Sequence, residues 1–128
     1  MLDKWYHISM KSRHSLVKSF QFALEGVWVA FGKGRNFRIQ VGAGVLALAL
    51  GFILKLTPYE FVDLVLIISL VLILELLNTA IESMVDMVSP EIRVEAKIAK
   101  DVSAAAVFIA SIGSIIIAAF IFLPKLLS

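Results

Sequence analysis

The sequence predicts an all-α integral membrane protein: an N-terminal amphipathic surface helix and three transmembrane helices in a single membrane domain over residues 1–128. Hydrophobic residues make up 60% of the chain and its mean hydropathy is +0.95, which is more apolar surface than a soluble domain of this size buries in one core. Three apolar segments are also long enough to cross a hydrocarbon layer of about 30 Å at about 1.5 Å per residue.

The surface helix is predicted over residues 12–31. Large apolar residues recur there every three or four positions, with polar residues between them. This spacing is typical of a helix that lies in the membrane surface, although packing on its own bundle would produce the same pattern. Gly32-Lys33-Gly34 then predicts an elbow before the first span. The apolar positions are Leu16, Phe20, Leu24, Val27 and Phe31.

The three transmembrane helices are predicted at residues 39–56, 61–85 and 102–123. The segment between the first two is short, so they form a hairpin whose tip, with Pro58 and Tyr59, suits a membrane face. Small residues recur every four positions in the first and third spans, which favours close helix packing. Because three helices enclose little volume, we expect an oligomer. The small residues are Ala43, Ala47 and Gly51, and Ala106, Ala110, Ser114 and Ala118.

The distribution of basic residues predicts the orientation. Seven Lys and Arg residues precede the first span and three lie between the second and third, whereas only Lys55 and Lys125 fall on the opposite side. The positive-inside rule therefore predicts a cytoplasmic N-terminus. The start of the sequence has no continuous apolar stretch, so we expect no cleaved signal peptide. The absence of cysteine excludes disulfides, thiolate metal sites and cysteine nucleophiles.

Polar and acidic side chains share one face at the end of the second span, at relative positions 0, 3, 4, 7 and 11. An ionised carboxylate in hydrocarbon costs about 2.5 to 3.5 kcal/mol on insertion scales, so this stripe needs cations, water or hydrogen-bond partners. Glu75 lies deepest, where a lipid hydroxyl would meet it first. Glu82 and Asp86 lie nearer water and suit a hydrated metal ion. The stripe consists of Glu75, Asn78, Thr79, Glu82 and Asp86.

Basic residues at the start of the third span are predicted at the same membrane depth as these acids. They are Lys97 and Lys100, next to Asp101. Carboxylates for magnesium and lysines for phosphate oxygens are what phosphoryl transfer requires. The same residues also fit interhelical salt bridges without turnover, or a proton or ion path. A path through the whole membrane is the weakest alternative, because the third span carries no ionisable side chain between Asp101 and Lys125.

The chain resembles the bacterial integral-membrane diacylglycerol kinase family, which includes undecaprenol kinase. The resemblance covers nearly the whole chain and rests on ELLNTAIE at residues 75–82, on Asp86, and on AKD at residues 99–101 with the small residues after it. It implies a homotrimer in the bacterial cytoplasmic membrane, with active sites between subunits. It also implies transfer of the γ-phosphate of ATP, with Mg²⁺, to a membrane lipid alcohol at the cytoplasmic interface. We expect no nucleic acid partner.

The resemblance also implies roles for individual residues. Glu75 would be the general base on the lipid hydroxyl, Asn78 a positioning group and Glu82 a magnesium ligand. Arg38 and Ala104 would lie near the lipid. Asp86 also matches, with a less clear role. The residues implied around the nucleotide are Glu82, Glu91, Arg93, Lys100 and Asp101.

One position departs from the family pattern. The family has a second metal-binding glutamate just before the first span, and that register falls on Gly34. We therefore expect weaker magnesium binding or lower activity, unless a nearby acid or water substitutes, and a membrane scaffold without catalysis is the alternative. The other matching residues favour retained activity. Among substrates, ELLNTAIE, Ser89-Pro90-Glu91 and AKIAKD favour undecaprenol over diacylglycerol.

Overall fold

The computed structural model describes residues 15–91 and 93–128. Three of its helices are long and apolar enough to cross a membrane, so the predicted all-α membrane fold is confirmed. The basic residues before Ser15 and the first part of the predicted surface helix, residues 12–14, lie outside the described residues. The helices are α1 (Leu16–Lys33), α2 (Arg35–Ile53), α3 (Pro58–Val88) and α4 (Val94–Leu126).

A sharp elbow at Gly34 separates α1 from α2. Gly34 has φ −103° and ψ 105°, and its N–H donates to the carbonyl of Ala30 at 2.8 Å. A Cβ at this position would lie 3.1 Å from the Ala30 carbonyl oxygen and 3.2 Å from Phe37 Cβ. The predicted break is therefore confirmed at Gly34, where the chain passes close to itself, whereas Gly32 remains helical.

The turn between α2 and α3 begins earlier than the sequence predicts. The first span is predicted to reach residue 56, but α2 ends at Ile53. The helix ends because Lys55 has a φ of 56°, in the left-handed region. The N–H of Leu56 then donates to the carbonyl of Gly51 at 3.0 Å, and the Leu56 side chain is buried.

Helix α3 begins at a capping box. The Thr57 side chain accepts a hydrogen bond from the Glu60 N–H at 3.3 Å, and the Glu60 carboxylate accepts one from the Thr57 N–H at 2.8 Å. Pro58 occupies the first helical position, where its missing N–H leaves no helical bond unmade. These local signals fix the start of α3.

The apolar core lies at the end of the bundle that contains this turn, which we call the hairpin end. Helix α2 also approaches α3 closely near its middle, where a Cβ on Gly44 would lie 3.0 Å from Ile68 Cγ2. The predicted packing of small residues is confirmed at Ala47 and Ala118, which pack on the core. The buried core residues are Leu56, Leu64, Ile121 and Phe122.

The opposite end, which we call the polar end, is where α3 ends and α4 begins. Both helices extend beyond their predicted apolar spans: residues 61–85 lie inside Pro58–Val88, and residues 102–123 lie inside Val94–Leu126. The added turns are helical although they are rich in charged residues. They hold the acidic and basic side chains of the candidate site on two rigid, adjacent helices.

Candidate functional site

The acidic stripe on α3 runs from a buried to an exposed environment. Glu75 is only 4% exposed, Asn78 and Thr79 are half-buried, and Glu82 and Asp86 are exposed. The Thr79 hydroxyl donates to the Glu75 carbonyl at 3.0 Å, so it is satisfied within its own helix. The predicted order of depth therefore agrees with the structure of the single chain.

A chain of hydrogen bonds connects α4 to this stripe. The Ser103 hydroxyl donates to Asn78 Oδ1 at 2.5 Å, and Asn78 Nδ2 donates to Glu82 Oε1 at 3.3 Å. Ser103 is 8% exposed. Ser103 was not predicted from the sequence, although its spacing from Lys100 puts both residues on one face of α4.

Two ion pairs lie at the polar end. Lys100 pairs with Asp86 across the two helices, and Lys97 Nζ lies 2.5 Å from Asp101 Oδ2 within α4. The predicted meeting of acids and lysines at one depth is therefore confirmed. The side chains of the Lys97–Asp101 pair are 72% and 63% exposed, so the pair is weak and can exchange partners.

A hollow of about 430 Å³ contains the Glu75 carboxylate, and we call it the Glu75 hollow. Asn78 and Ala104, both predicted site residues, line it together with residues of α2. Gln40 and Ser111 form a second polar pair in its wall, with Gln40 Nε2 donating to Ser111 Oγ at 3.1 Å, and the sequence analysis did not predict this pair. The remaining lining residues are Asn36, Ile39, Val107 and Phe108.

A second hollow of about 350 Å³ lies around the loop between α3 and α4, and we call it the loop hollow. Four of the five residues predicted around the nucleotide line it, together with Asp86 and Lys97, whereas the fifth, Glu82, does not. Three cationic side chains and three carboxylates therefore face one exposed space. The predicted residues that line it are Glu91, Arg93, Lys100 and Asp101.

Arg38, predicted to lie near the lipid, lines neither hollow and lies at the elbow between α1 and α2. Its Nη1 donates to the carbonyl of Phe31 at 2.7 Å and to that of Gly32 at 3.3 Å. These carbonyls belong to the last turn of α1, where no helical N–H is available to satisfy them. Arg38 therefore closes the elbow between α1 and α2, a role that the sequence analysis did not anticipate.

The donor set for a metal ion is small. Within residues 15–91 and 93–128, no three Asp, Glu or His side chains lie close enough together to hold a metal ion. Glu82, exposed and oriented by Asn78, lies on α3 between the Glu75 hollow and the loop hollow. A single carboxylate supplemented by phosphate oxygens and water fits the usual coordination of Mg²⁺, so the residues present are compatible with this ion.

Comparison with known proteins finds similarity to one family of lipid kinases. The family model described as prokaryotic diacylglycerol kinase matches residues 21–122. The chain is 44% identical over 115 residues to a diacylglycerol kinase of Synechocystis sp., covering 89% of this chain and 66% of the relative. It is 41% identical over 109 residues to the undecaprenol kinase of Bacillus subtilis, covering 85% and 89%. It is 33% identical over 101 residues to a diacylglycerol kinase of Escherichia coli, covering 79% and 83%. The chain thus spans just under two thirds of the cyanobacterial relative.

Proposed function

The chain belongs to the prokaryotic diacylglycerol kinase family, and we propose that it is a lipid kinase that transfers the γ-phosphate of ATP to a membrane lipid alcohol. The observation that carries this proposal is the Glu75 carboxylate, 4% exposed in a hollow between apolar helices. Asn78 and Glu82 lie between Glu75 and Asp86 on the same face of α3, and Asn78 Nδ2 donates to Glu82 Oε1. We propose that the lipid hydroxyl reaches the base through this hollow, on the same helix as residues of the loop hollow, which suits phosphates.

The reaction assigned to Glu75 is proton abstraction. The carboxylate takes the proton of the lipid hydroxyl while the hydroxyl oxygen forms a bond to the γ-phosphorus of ATP. The bond from this phosphorus to the β–γ bridging oxygen breaks, and ADP leaves with that oxygen. Helix α3 fixes the position of the base, and the apolar part of the wall, with Ile39, Val107 and Phe108, limits the water that would compete with the lipid as acceptor.

The nucleotide phosphates are assigned to the loop hollow. Lys100, Arg93 and Lys97 supply cations there. In the free protein the two lysines are bonded to Asp86 and Asp101, and phosphate oxygens would replace those carboxylates. Glu82 would hold Mg²⁺, which neutralises charge on the phosphate oxygens. Because Gly34 supplies no carboxylate, we expect magnesium to bind through Glu82, phosphate oxygens and water.

We propose undecaprenol as the lipid alcohol, with diacylglycerol as the alternative. The motifs of residues 75–82, 89–91 and 96–101 favour undecaprenol, and one relative named undecaprenol kinase matches over 89% of its own length. A relative named diacylglycerol kinase is slightly more identical, so overall identity does not separate the two substrates. The assay must therefore compare both lipids directly.

The proposed setting is a homotrimer in the bacterial cytoplasmic membrane with its N-terminus in the cytoplasm. Large apolar side chains on the outside of α2, α3 and α4, such as Leu46, Leu66 and Phe120, are exposed in the single chain. Neighbouring subunits and lipid tails are suitable partners for such surfaces. The alternative function is a non-catalytic membrane scaffold of the same fold, and Gly34 is the observation that favours it.

The test is a lipid phosphorylation assay on the full chain in vesicles that contain either undecaprenol or diacylglycerol, with labelled ATP over a wide range of magnesium concentration. We expect magnesium-dependent label in the lipid, faster with undecaprenol, and none with Glu75→Ala that still folds. Faster labelling of diacylglycerol would overturn the substrate assignment. Labelling of neither lipid by the folded wild type would overturn the kinase assignment and support the scaffold.

A further inference from the structure

We propose that Ser103 is a positioning residue, which fixes the side-chain amide of Asn78 and through it the carboxylate of Glu82. This inference rests on the proposed function, because Glu82 is the proposed magnesium ligand. Its basis is the hydrogen-bond chain from Ser103 to Asn78 Oδ1 at 2.5 Å and from Asn78 Nδ2 to Glu82 Oε1 at 3.3 Å. Ser103 belongs to α4, whereas Asn78 and Glu82 belong to α3.

The chemistry of the three groups fixes the direction of each hydrogen bond. An ionised carboxylate only accepts, so Asn78 must turn its NH₂ group towards Glu82. Its carbonyl oxygen then faces Ser103, and only the hydroxyl can donate there. The opposite orientation of the amide would place its oxygen against the carboxylate and its NH₂ against the hydroxyl. The Glu82 carboxylate therefore selects this orientation of the amide, and the Ser103 hydroxyl holds the amide in it by donating to Asn78 Oδ1.

The Ser103 hydroxyl has one competing acceptor. The carbonyl of Lys100 lies 3.1 Å from Ser103 Oγ, compared with 2.5 Å for Asn78 Oδ1. A hydroxyl has a single proton, and the shorter distance favours Asn78. With Ser103 only 8% exposed, bulk water is poorly placed to replace it. Removing the hydroxyl therefore leaves the half-buried Asn78 oxygen without this donor.

Gly34 makes this support more important in this chain. The position that would carry a second acid has no side chain, and no third acid or histidine among the described residues completes a metal-binding group. The orientation of Glu82 is then a major determinant of magnesium affinity on the protein side. Residues that orient a metal ligand typically change metal affinity by about 10- to 100-fold when they are substituted.

The kinetic test compares Ser103→Ala with Ser103→Thr, which keeps the hydroxyl. We expect Ser103→Ala to raise the half-saturating magnesium concentration by about tenfold, with kcat at saturating magnesium near that of the wild type. Ser103→Thr should restore the wild-type magnesium dependence. The matched control is Ser114→Ala, because the Ser114 hydroxyl donates to the carbonyl of Ser111 within the same helix. An unchanged magnesium dependence in Ser103→Ala would overturn the proposal.

A second test does not need activity. The chain has two asparagines, Asn36 and Asn78, so protein labelled with ¹⁵N-asparagine gives two side-chain NH₂ signals in a micelle or nanodisc. We expect Ser103→Ala to shift the Asn78 signal and to weaken its response to added Mg²⁺, while the Asn36 signal and the Ser114→Ala spectrum stay unchanged. An unmoved Asn78 signal would overturn the proposal. If the wild type phosphorylates no lipid, the proposed function fails and this spectrum alone decides the role of Ser103.

Discussion

The two ends of the bundle are held together by different interactions. At the hairpin end, α3 and α4 meet through buried apolar side chains such as Leu64 and Phe122. At the polar end, the same two helices meet through the Ser103–Asn78 hydrogen bond and the Asp86–Lys100 ion pair. Lipid tails are as apolar as leucine, so helix association in a membrane depends on packing and interhelical hydrogen bonds. The hairpin end supplies the packing, and the polar end carries the exchangeable contacts.

This difference indicates a division of roles between the hairpin end and the polar end of α3. Packing around Leu64 fixes how α3 and α4 cross, and this leaves the ionic groups at the other end free to change partners when a nucleotide binds. Substitutions at the polar end should therefore change catalysis more than stability, and substitutions at the hairpin end should do the reverse. Four variants test this division, in order of decreasing expected effect.

The largest effect is expected at the polar end, in Glu75→Gln. The amide has nearly the shape of the carboxylate but does not accept the hydroxyl proton, so we expect kcat to fall by about 10²- to 10⁴-fold. The midpoint of thermal unfolding should stay close to that of the wild type. Glu95→Gln, an exposed acid in the first turn of α4, is the control and should retain activity. Retention of most activity by Glu75→Gln would remove Glu75 from the chemistry.

The sequence predicted the fold better than it predicted the contacts. Apolar runs identify spanning helices because a helix satisfies its own backbone hydrogen bonds in lipid, but the charged first turns of α4 lie outside any apolar run. Helix α2 ends at Ile53, before the predicted end of the first span at residue 56, because the sequence does not show that Lys55 adopts a left-handed φ. The acidic stripe on α3 was predicted as a candidate site because carboxylates within a membrane span cost free energy unless they have partners.

Other site features depend on tertiary geometry. Ser103 was missed because a serine within a run of alanines is typical of helix packing, and only the crossing of α3 and α4 brings it to Asn78. The contact of Arg38 with the α1 carbonyls depends on the elbow angle at Gly34. Local sequence patterns do not encode either arrangement.

The second prediction concerns the hairpin end. Leu64 is 2% exposed and belongs to the apolar core, so Leu64→Ala removes packing that the neighbouring helices can only partly recover. We expect the free energy of unfolding to fall by about 3 kcal/mol, measured by denaturant titration in micelles. Below its unfolding transition the variant should keep nearly the wild-type kcat. Leu66→Ala, on an exposed part of the same helix, is the control. A large loss of kcat in folded Leu64→Ala would show that the two ends are coupled.

The third prediction restores an acid at the elbow, in Gly34→Glu. The φ of −103° accepts any side chain, and the new Cβ, 3.1 Å from the Ala30 carbonyl oxygen and 3.2 Å from Phe37 Cβ, requires these neighbours to move by a few tenths of an ångström. We expect the half-saturating magnesium concentration to fall by about tenfold, equal to about 1.4 kcal/mol, as measured by the rate at varied Mg²⁺. Gly34→Gln is the uncharged control and should not reproduce the gain. Inactivity of both the wild type and Gly34→Glu would favour the scaffold.

The smallest effect is expected for the ion pair at the hairpin end. Lys125 Nζ lies 3.1 Å from Glu60 Oε2, with side chains 24% and 31% exposed. Lys125→Met removes the charge and keeps the apolar stem, while Glu60 retains its capping bond to the Thr57 N–H. Because such accessible pairs contribute little, we expect a loss of stability about a fifth of that in Leu64→Ala or less, measured by the same titration. Lys97→Met, which removes an ion pair at the polar end, is the comparison variant and should affect nucleotide binding instead. A loss in Lys125→Met as large as that in Leu64→Ala would mean that ionic contacts, rather than apolar packing, hold the hairpin end together.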